Sequence, residues 1–285
     1  MLETNPIYNR DLARIFSASV LRDLATQGES LVLNAVIKRI IDSNPSFTEL
    51  SLLELYDIVY QYLCKEYRVE YVYKNLILQQ ILIQKHSISD STMFTEFRAG
   101  KSIVDALILN STSTAYEIKT EYDNTTRLND QLTSYQMLFD EIYVVTHPSL
   151  IAEIESKVSS SIGLITVTEE NELETLRDAK SNRSNTNPLE ILYSLRKKEY
   201  VQIAETIIHD NLNIPEHSLF SFVKEIFSAS DPTVIHDLAV EIIKKRTDPY
   251  SREVIQGIPD SIQMSFWELK IPKKHKVTLK AKFGR

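Results

Sequence analysis

An aspartate stands in the middle of the apolar run Ile103-Val104-Asp105-Ala106-Leu107-Ile108. A glutamate and a lysine lie two residues apart in the run that follows, Ala115-Tyr116-Glu117-Ile118-Lys119. Charges inside apolar strands are costly unless they pair with one another or bind a metal. Two-residue alternation projects Glu117 and Lys119 from one face of a strand while Tyr116 and Ile118 pack the other. If the two runs pair across the turn Asn110-Ser111-Thr112-Ser113, Asp105 sits beside Glu117, and two carboxylates and an ammonium converge. Two chemistries fit. In one, Lys119 simply neutralises a carboxylate. In the other, Asp105 and Glu117 hold a hard divalent cation, Mg²⁺ or Mn²⁺, which polarises a phosphodiester and acidifies a bound water; Lys119 then orients that water or steadies the developing charge.

The elements that must position these groups follow from hydrophobic periodicity. Residues 8–66 read as helices: Leu12, Ile15, Phe16, Val20, Leu21 and Leu24 recur at helical spacing, as do Leu31, Leu33, Val36, Ile37, Ile40 and Ile41, and a third helix runs over 52–64. Residues 69–85 are helical, 86–92 a polar loop. Strands are expected at 93–98, 102–109 and 114–120, an amphipathic helix at 124–139, a strand at 141–146, a helix at 149–157 and a strand at 162–167. This order predicts a mixed α/β sheet with helices against it. Residues 180–187, Lys-Ser-Asn-Arg-Ser-Asn-Thr-Asn, hold no apolar side chain and read as a linker. Beyond Pro188 the chain is helical again, with Asp231-Pro232 as an N-cap and first-turn proline; the segment from Val254 onward is ambiguous.

Composition removes several alternatives. Only 5 of 285 residues are glycine, against a usual share of about 7%. Gly28, Gly100, Gly163, Gly257 and Gly284 are too scattered for a dinucleotide-binding glycine loop or a nucleophile elbow. Gly100-Lys101-Ser102 imitates the end of a P-loop, but Thr95 stands where its first glycine belongs. The single cysteine, Cys64, excludes an intramolecular disulfide and a cysteine-rich metal knuckle, and reads as a buried thiol. No signal peptide and no membrane-length apolar run is visible, so a cytoplasmic protein is expected. The six histidines show no metal-binding spacing.

The net charge of -7 is unevenly spread. Lys270, Lys273, Lys274, Lys276, Lys280, Lys282 and Arg285 carry the last stretch without an acid, leaving 25 basic against 39 acidic residues elsewhere. Such a tail, with Lys273, Lys274 and Lys276 at its centre, holds phosphate or is a solvated, lysine-guarded edge. Phe266 and Trp267 beside it stack on bases or pack in a core.

Val104-Asp105, a gap of 11 residues, and Glu117-Ile118-Lys119 resemble the D…(D/E)xK core of the PD-(D/E)XK nuclease superfamily, with Val104 in place of the usual proline. Gln131-Leu132-Thr133-Ser134-Tyr135 resembles the Q-x-x-x-Y element of its RecB-like branch, and Glu70 resembles the first-helix glutamate that completes such sites. Further strings, among them Tyr67-Arg68-Val69-Glu70-Tyr71-Val72-Tyr73-Lys74-Asn75 and Tyr116-Glu117-Ile118-Lys119-Thr120-Glu121-Tyr122-Asp123, resemble an uncharacterised bacterial and phage family within that superfamily. The resemblance implies a restriction-endonuclease-like α/β core at 67–179, a mixed sheet flanked by helices. Around it lie a helical N-terminal extension at 1–66, the linker, and a mainly helical C-terminal region at 188–285. It implies a Mg²⁺- or Mn²⁺-dependent deoxyribonuclease with Asp105, Glu117 and Lys119 at its centre and Glu70, Gln131 and Tyr135 in support. Glu96 is a third metal carboxylate or a salt-bridge partner of Arg98 or Lys101. Arg127 reaches phosphate or pairs with Asp123, and Glu70 with Lys74 is an i,i+4 pair. The alternative is a catalytically silent nuclease-fold module that binds nucleic acid or a protein partner, in phage defence or a toxin system; a homodimer is also compatible.

Overall fold

Strong helix formers at 3.6-residue spacing and one block of β-branched alternation divide the molecule. The computed structural model describes residues 2, 6–86, 88–247 and 253–283. Arg285, the last of the tail cations, lies outside them. The chain forms two compact units: residues 1–85, 169–172 and 248–285 make the first, and residues 86–168 and 173–247 the second.

The first unit is helical. Its N-terminal part comprises α1 (Asn9–Arg14), α2 (Ala18–Thr26), α3 (Leu31–Ser43), α4 (Leu52–Glu66) and α5 (Glu70–Leu76), the last prolonged by a π-type stretch Ile77–Ile83. Ser51 and Glu54 form a capping box that starts α4. The core is aromatic: Phe16 stacks on Tyr71 at 4.6 Å and meets Tyr56 edge-on at 5.2 Å. The ambiguous segment after Val254 is helical too, with helices Gln263–Glu268 and Lys273–Phe283. It folds back onto α4 and α5: Phe283 packs edge-on against Tyr56, and fully buried Asn75 donates to the Asp260 carbonyl and accepts from the Met264 amide. The two ends of the chain therefore build one unit. Cys64 is buried in it, and burial pushes its thiol up to about 11.

The second unit is a six-stranded mixed sheet in the order β1-β2-β3-β4-β5-β6. The strands are β1 (Thr92–Ala99), β2 (Ser102–Leu109), β3 (Ser113–Lys119), β4 (Glu141–Thr146), β5 (Gly163–Val167) and β6 (Leu173–Arg177). β1, β2 and β3 are antiparallel, β3, β4 and β5 parallel, and β6 is antiparallel to β5. Parallel neighbours require crossovers, supplied by α6 (Leu128–Gln136) and α7 (Ile151–Lys157). Leu107, Ala115, Val144 and Leu164 of the sheet join one core with α6, α8 (Pro188–Ser194), α9 (Lys197–Ile208), α10 (Glu216–Ala229) and α11 (Pro232–Lys244). Asp231 caps α11 through the Thr233 amide.

Residues 180–187 do not behave as a loose linker. Buried Asp140 accepts from the Ser181 hydroxyl at 2.5 Å and from the Asn182 and Arg183 amides at 3.0 Å, and Asn187 caps α8. A polar, apolar-free segment is held here by hydrogen bonds to one carboxylate, which hydropathy does not register. Burial alone would push Asp140 up; the hydroxyls of Ser181 and Thr112 and the Arg183 guanidinium outweigh it and hold the carboxyl below its usual range.

Candidate active site

Antiparallel register brings the acids to one level. Thr95 pairs with Ala106 and Phe97 with Val104, so Glu96 and Asp105 face each other across β1 and β2. Ala106 pairs with Tyr116, so the register carried one step further sets Asp105 beside Glu117 on β3. The alternation slips at this level. Phe94 and Phe97 both pack into the helix-side core, as do Val104 and Leu107, each pair three residues apart. A two-residue period does not allow that spacing. Glu96 adopts φ 53°, the left-handed region that a non-glycine residue occupies only at a cost.

The slip separates the carboxylates into two environments. A carboxylate oxygen of Glu96 and one of Asp105 lie within 4.8 Å of each other. Asp105 Oδ2 also accepts the Ile118 amide at 2.7 Å, taking up a donor where the β2–β3 ladder ends. Glu117, 1% exposed, uses both oxygens inward: Oε1 receives Lys119 Nζ at 2.6 Å, and Oε2 lies 2.5 Å from the Tyr135 hydroxyl. Lys119 Nζ donates further to Gln131 Oε1 at 3.1 Å. Gln131 and Tyr135 are one turn apart on α6 and reach β3 together, as their spacing predicts. Burial, reinforced by the neighbouring Glu117 charge, keeps the Tyr135 hydroxyl protonated far above the ordinary tyrosine range.

Asp105, Glu117, Lys119, Gln131 and Tyr135 are thus gathered in the second unit, with Glu96 added to Asp105 rather than to Glu117. Gln131 and Tyr135 grip Lys119 and Glu117 themselves. Glu70 belongs to the first unit, where its Oε1 lies 2.5 Å from Lys74 Nζ, the i,i+4 pair. Arg127 is exposed, and among the described residues it makes no ion pair with Asp123, which accepts instead from the Thr120 amide and hydroxyl. Lys276 is corrected: at 1% exposure it is not a surface cation for phosphate, whereas Lys273 and Lys274 are exposed. Phe266 and Trp267 are buried and pack.

One cluster was invisible to sequence spacing. Ser113 Oγ lies 2.7 Å from His236 Nε2, and His236 Nδ1 lies 2.9 Å from Asp237 Oδ1. Ser113 also accepts the Asp140 amide at 3.0 Å, and Arg183 bridges Asp140 and Asp237. Ser113 and His236 are buried, so this network fastens α11 to the start of β3.

Fold and site define a mixed α/β protein with a lysine–carboxylate cluster near the carboxyl end of its third strand. The chain belongs to the bacteriophage P4 protein cII family, whose family model matches residues 64–265. Protein cII of Enterobacteria phage P4 is 29% identical over 92 residues, which cover 32% of this chain and 35% of the phage protein; the match thus spans about a third of that relative. A protein of unknown function from Silicibacter pomeroyi, SPO1766, aligns structurally at a TM-score of 0.27 and 18% identity, covering 33% of this chain and 62% of the other. No helix among the described residues is long and apolar enough to cross a membrane.

Proposed function

We propose that this protein is a metal-dependent nuclease of the PD-(D/E)XK type that hydrolyses DNA phosphodiester bonds. The observation that carries the reading is the contact of Lys119 with Glu117 and Gln131 next to Asp105, in the order the nuclease motif requires. Oxygens within 4.8 Å of each other suit two ligands of one hard cation, so Glu96 and Asp105 are the residues that would hold Mg²⁺ or Mn²⁺. When bound, the cation supplies Lewis-acid polarisation of a phosphoryl oxygen. Lys119 has three donors, of which Glu117 and Gln131 take two; the third is left to hold a phosphate oxygen or the attacking water. Tyr135 fixes Glu117, and Glu117 in turn fixes the ammonium, so the charge is oriented before substrate arrives.

A second reading has its own support. Both Glu117 oxygens are consumed by Lys119 and Tyr135, an arrangement that also suits a nuclease-fold protein that binds DNA without cutting it. Incubation with Mg²⁺ or Mn²⁺ and single-stranded, duplex and branched DNA, beside Asp105→Ala and Lys119→Ala, separates the two. Cleavage by the wild type that both substitutions abolish is expected. Equal cleavage by all three means contamination and removes the assignment, whereas DNA binding without cleavage selects the binding module.

A further inference from the structure

We propose that the tip of the β1–β2 hairpin, carrying Arg98, Lys101 and Ile103, is the surface that grips the DNA backbone beside the acidic pair; the inference rests on the nuclease reading. The hairpin turns on Gly100 and Lys101, with φ +59° at Gly100 and no positive φ at Lys101, a two-residue loop of the II′ kind. Such a loop is short and stiff, so what it carries is held in a fixed place. Arg98 pairs across the hairpin with Ile103, and Arg98 and Lys101 are exposed.

Several cations of this unit are committed to acids: Lys119 to Glu117, Lys157 to Glu153, Arg183 to Asp140 and Asp237, Lys197 to Glu216, Lys244 to Glu241, Arg246 to Glu199. Among the described residues, Arg98 and Lys101 pair with no acid. Ile103, opposite Arg98, is 44% exposed, although the apolar residues that follow it on β2, Val104, Ala106, Leu107 and Ile108, are all buried. Two uncompensated cations and an apolar side chain make a surface complementary to phosphates flanking a sugar or base.

Placement matches the chemistry. Arg98 is two residues from Glu96 on β1, and Ile103 two from Asp105 on β2. Two strand residues span about 7 Å, so phosphates seated on the hairpin place a neighbouring phosphodiester at the acidic pair. The acids alone would repel DNA; the hairpin offsets that repulsion where the substrate must approach.

The test is DNA affinity of the full chain, by fluorescence anisotropy in EDTA across a salt series, for wild type and Arg98→Ala/Lys101→Ala. Removing two phosphate contacts lowers the slope of log affinity against log salt by about 1.4 to 1.8, with an unchanged melting temperature because both side chains are exposed. Ile103→Ala weakens binding without changing the slope. An unchanged slope in the double variant overturns the hairpin assignment, and if the wild type still cuts DNA the nuclease reading stands without it. A lowered slope with no cleavage by any form keeps the hairpin as a DNA contact and removes the nuclease. No DNA binding by the wild type at any salt overturns both, and tighter binding of RNA of the same sequence overturns the choice of DNA.

Discussion

The hydroxyl of Tyr135 lies 2.5 Å from Oε2 of Glu117 and 2.7 Å from the carbonyl oxygen of Ile103. One phenolic proton faces two acceptors, and a helix is thereby tied to two strands at one atom. Tyr135→Phe removes this tie and leaves a buried carboxylate oxygen without its partner. A loss of about 1–3 kcal/mol is expected, read as a shift of the urea midpoint. The proposed nuclease activity should fall further than stability accounts for, because Lys119 loses its fixed neighbour. Full activity at unchanged stability would mean that Glu117 is held by Lys119 alone.

Two substitutions separate the contact of Asp105 with the Ile118 amide from the cation-holding role proposed for it. Asp105→Asn keeps an oxygen for the Ile118 amide and should retain most of the stability while losing Mn²⁺ binding in titration calorimetry. Asp105→Ala should lose both, with the orphaned amide costing about 1–3 kcal/mol. Mn²⁺ binding by the asparagine variant equal to wild type would place the cation elsewhere.

His236 makes stability depend on pH in the mildly acid range. Burial lowers its pKa, against the raising effect of Asp237; Arg183 adds to the lowering, and Asp140 opposes it. The neutral ring accepts the Ser113 hydroxyl at Nε2 and gives its Nδ1 proton to Asp237. The folded state therefore binds a proton less readily than the unfolded chain, whose histidine titrates near about 6.5. Stability is fully present above that value and declines as pH falls through it toward the lowered folded value. Urea midpoints at about pH 7.5, 6.5 and 5.5 should fall in that order, and His236→Asn should flatten the trend while lowering the whole curve. A slope in the variant as steep as in wild type would assign it to the carboxylates.

Gly163 is fixed by close approach rather than by backbone angle. A Cβ there would meet the Tyr143 ring at 2.3 Å and the Ala179 amide nitrogen at 2.9 Å. Gly163→Ala should destabilise by about 1–3 kcal/mol through overpacking of β5 against its neighbours, measured by thermal melting. Tyr143→Ala in the same chain should recover part of the loss; no recovery would locate the clash at the backbone.

The strands of the second unit were legible because local pattern and tertiary role agree. The bounds expected for β2 and β4 match those observed, and those of β1, β3 and β5 differ by single residues. β6 was missed because Leu173-Glu-Thr-Leu-Arg is polar and largely exposed at the sheet edge. The adjacency of Asp105 and Glu117 followed from the length of the turn. Their division did not, because it depends on where Glu96 turns left-handed and on which strand face each core residue takes. The union of the two chain ends was equally hidden: Asn75 and Met264 are 189 positions apart, and no local period links them. The Ser113–His236 contact likewise spans 123 residues.

That first union has a consequence for synthesis. Asn75 leaves the ribosome long before its partners at 260 and 264 exist; at about 5–20 residues per second the wait is roughly 10–40 s. During that interval α4 and α5 hold an unfilled groove, while every strand of the second unit is already made. The sheet can form co-translationally; the helical unit closes around its own last segments and must be kept from aggregating until they arrive.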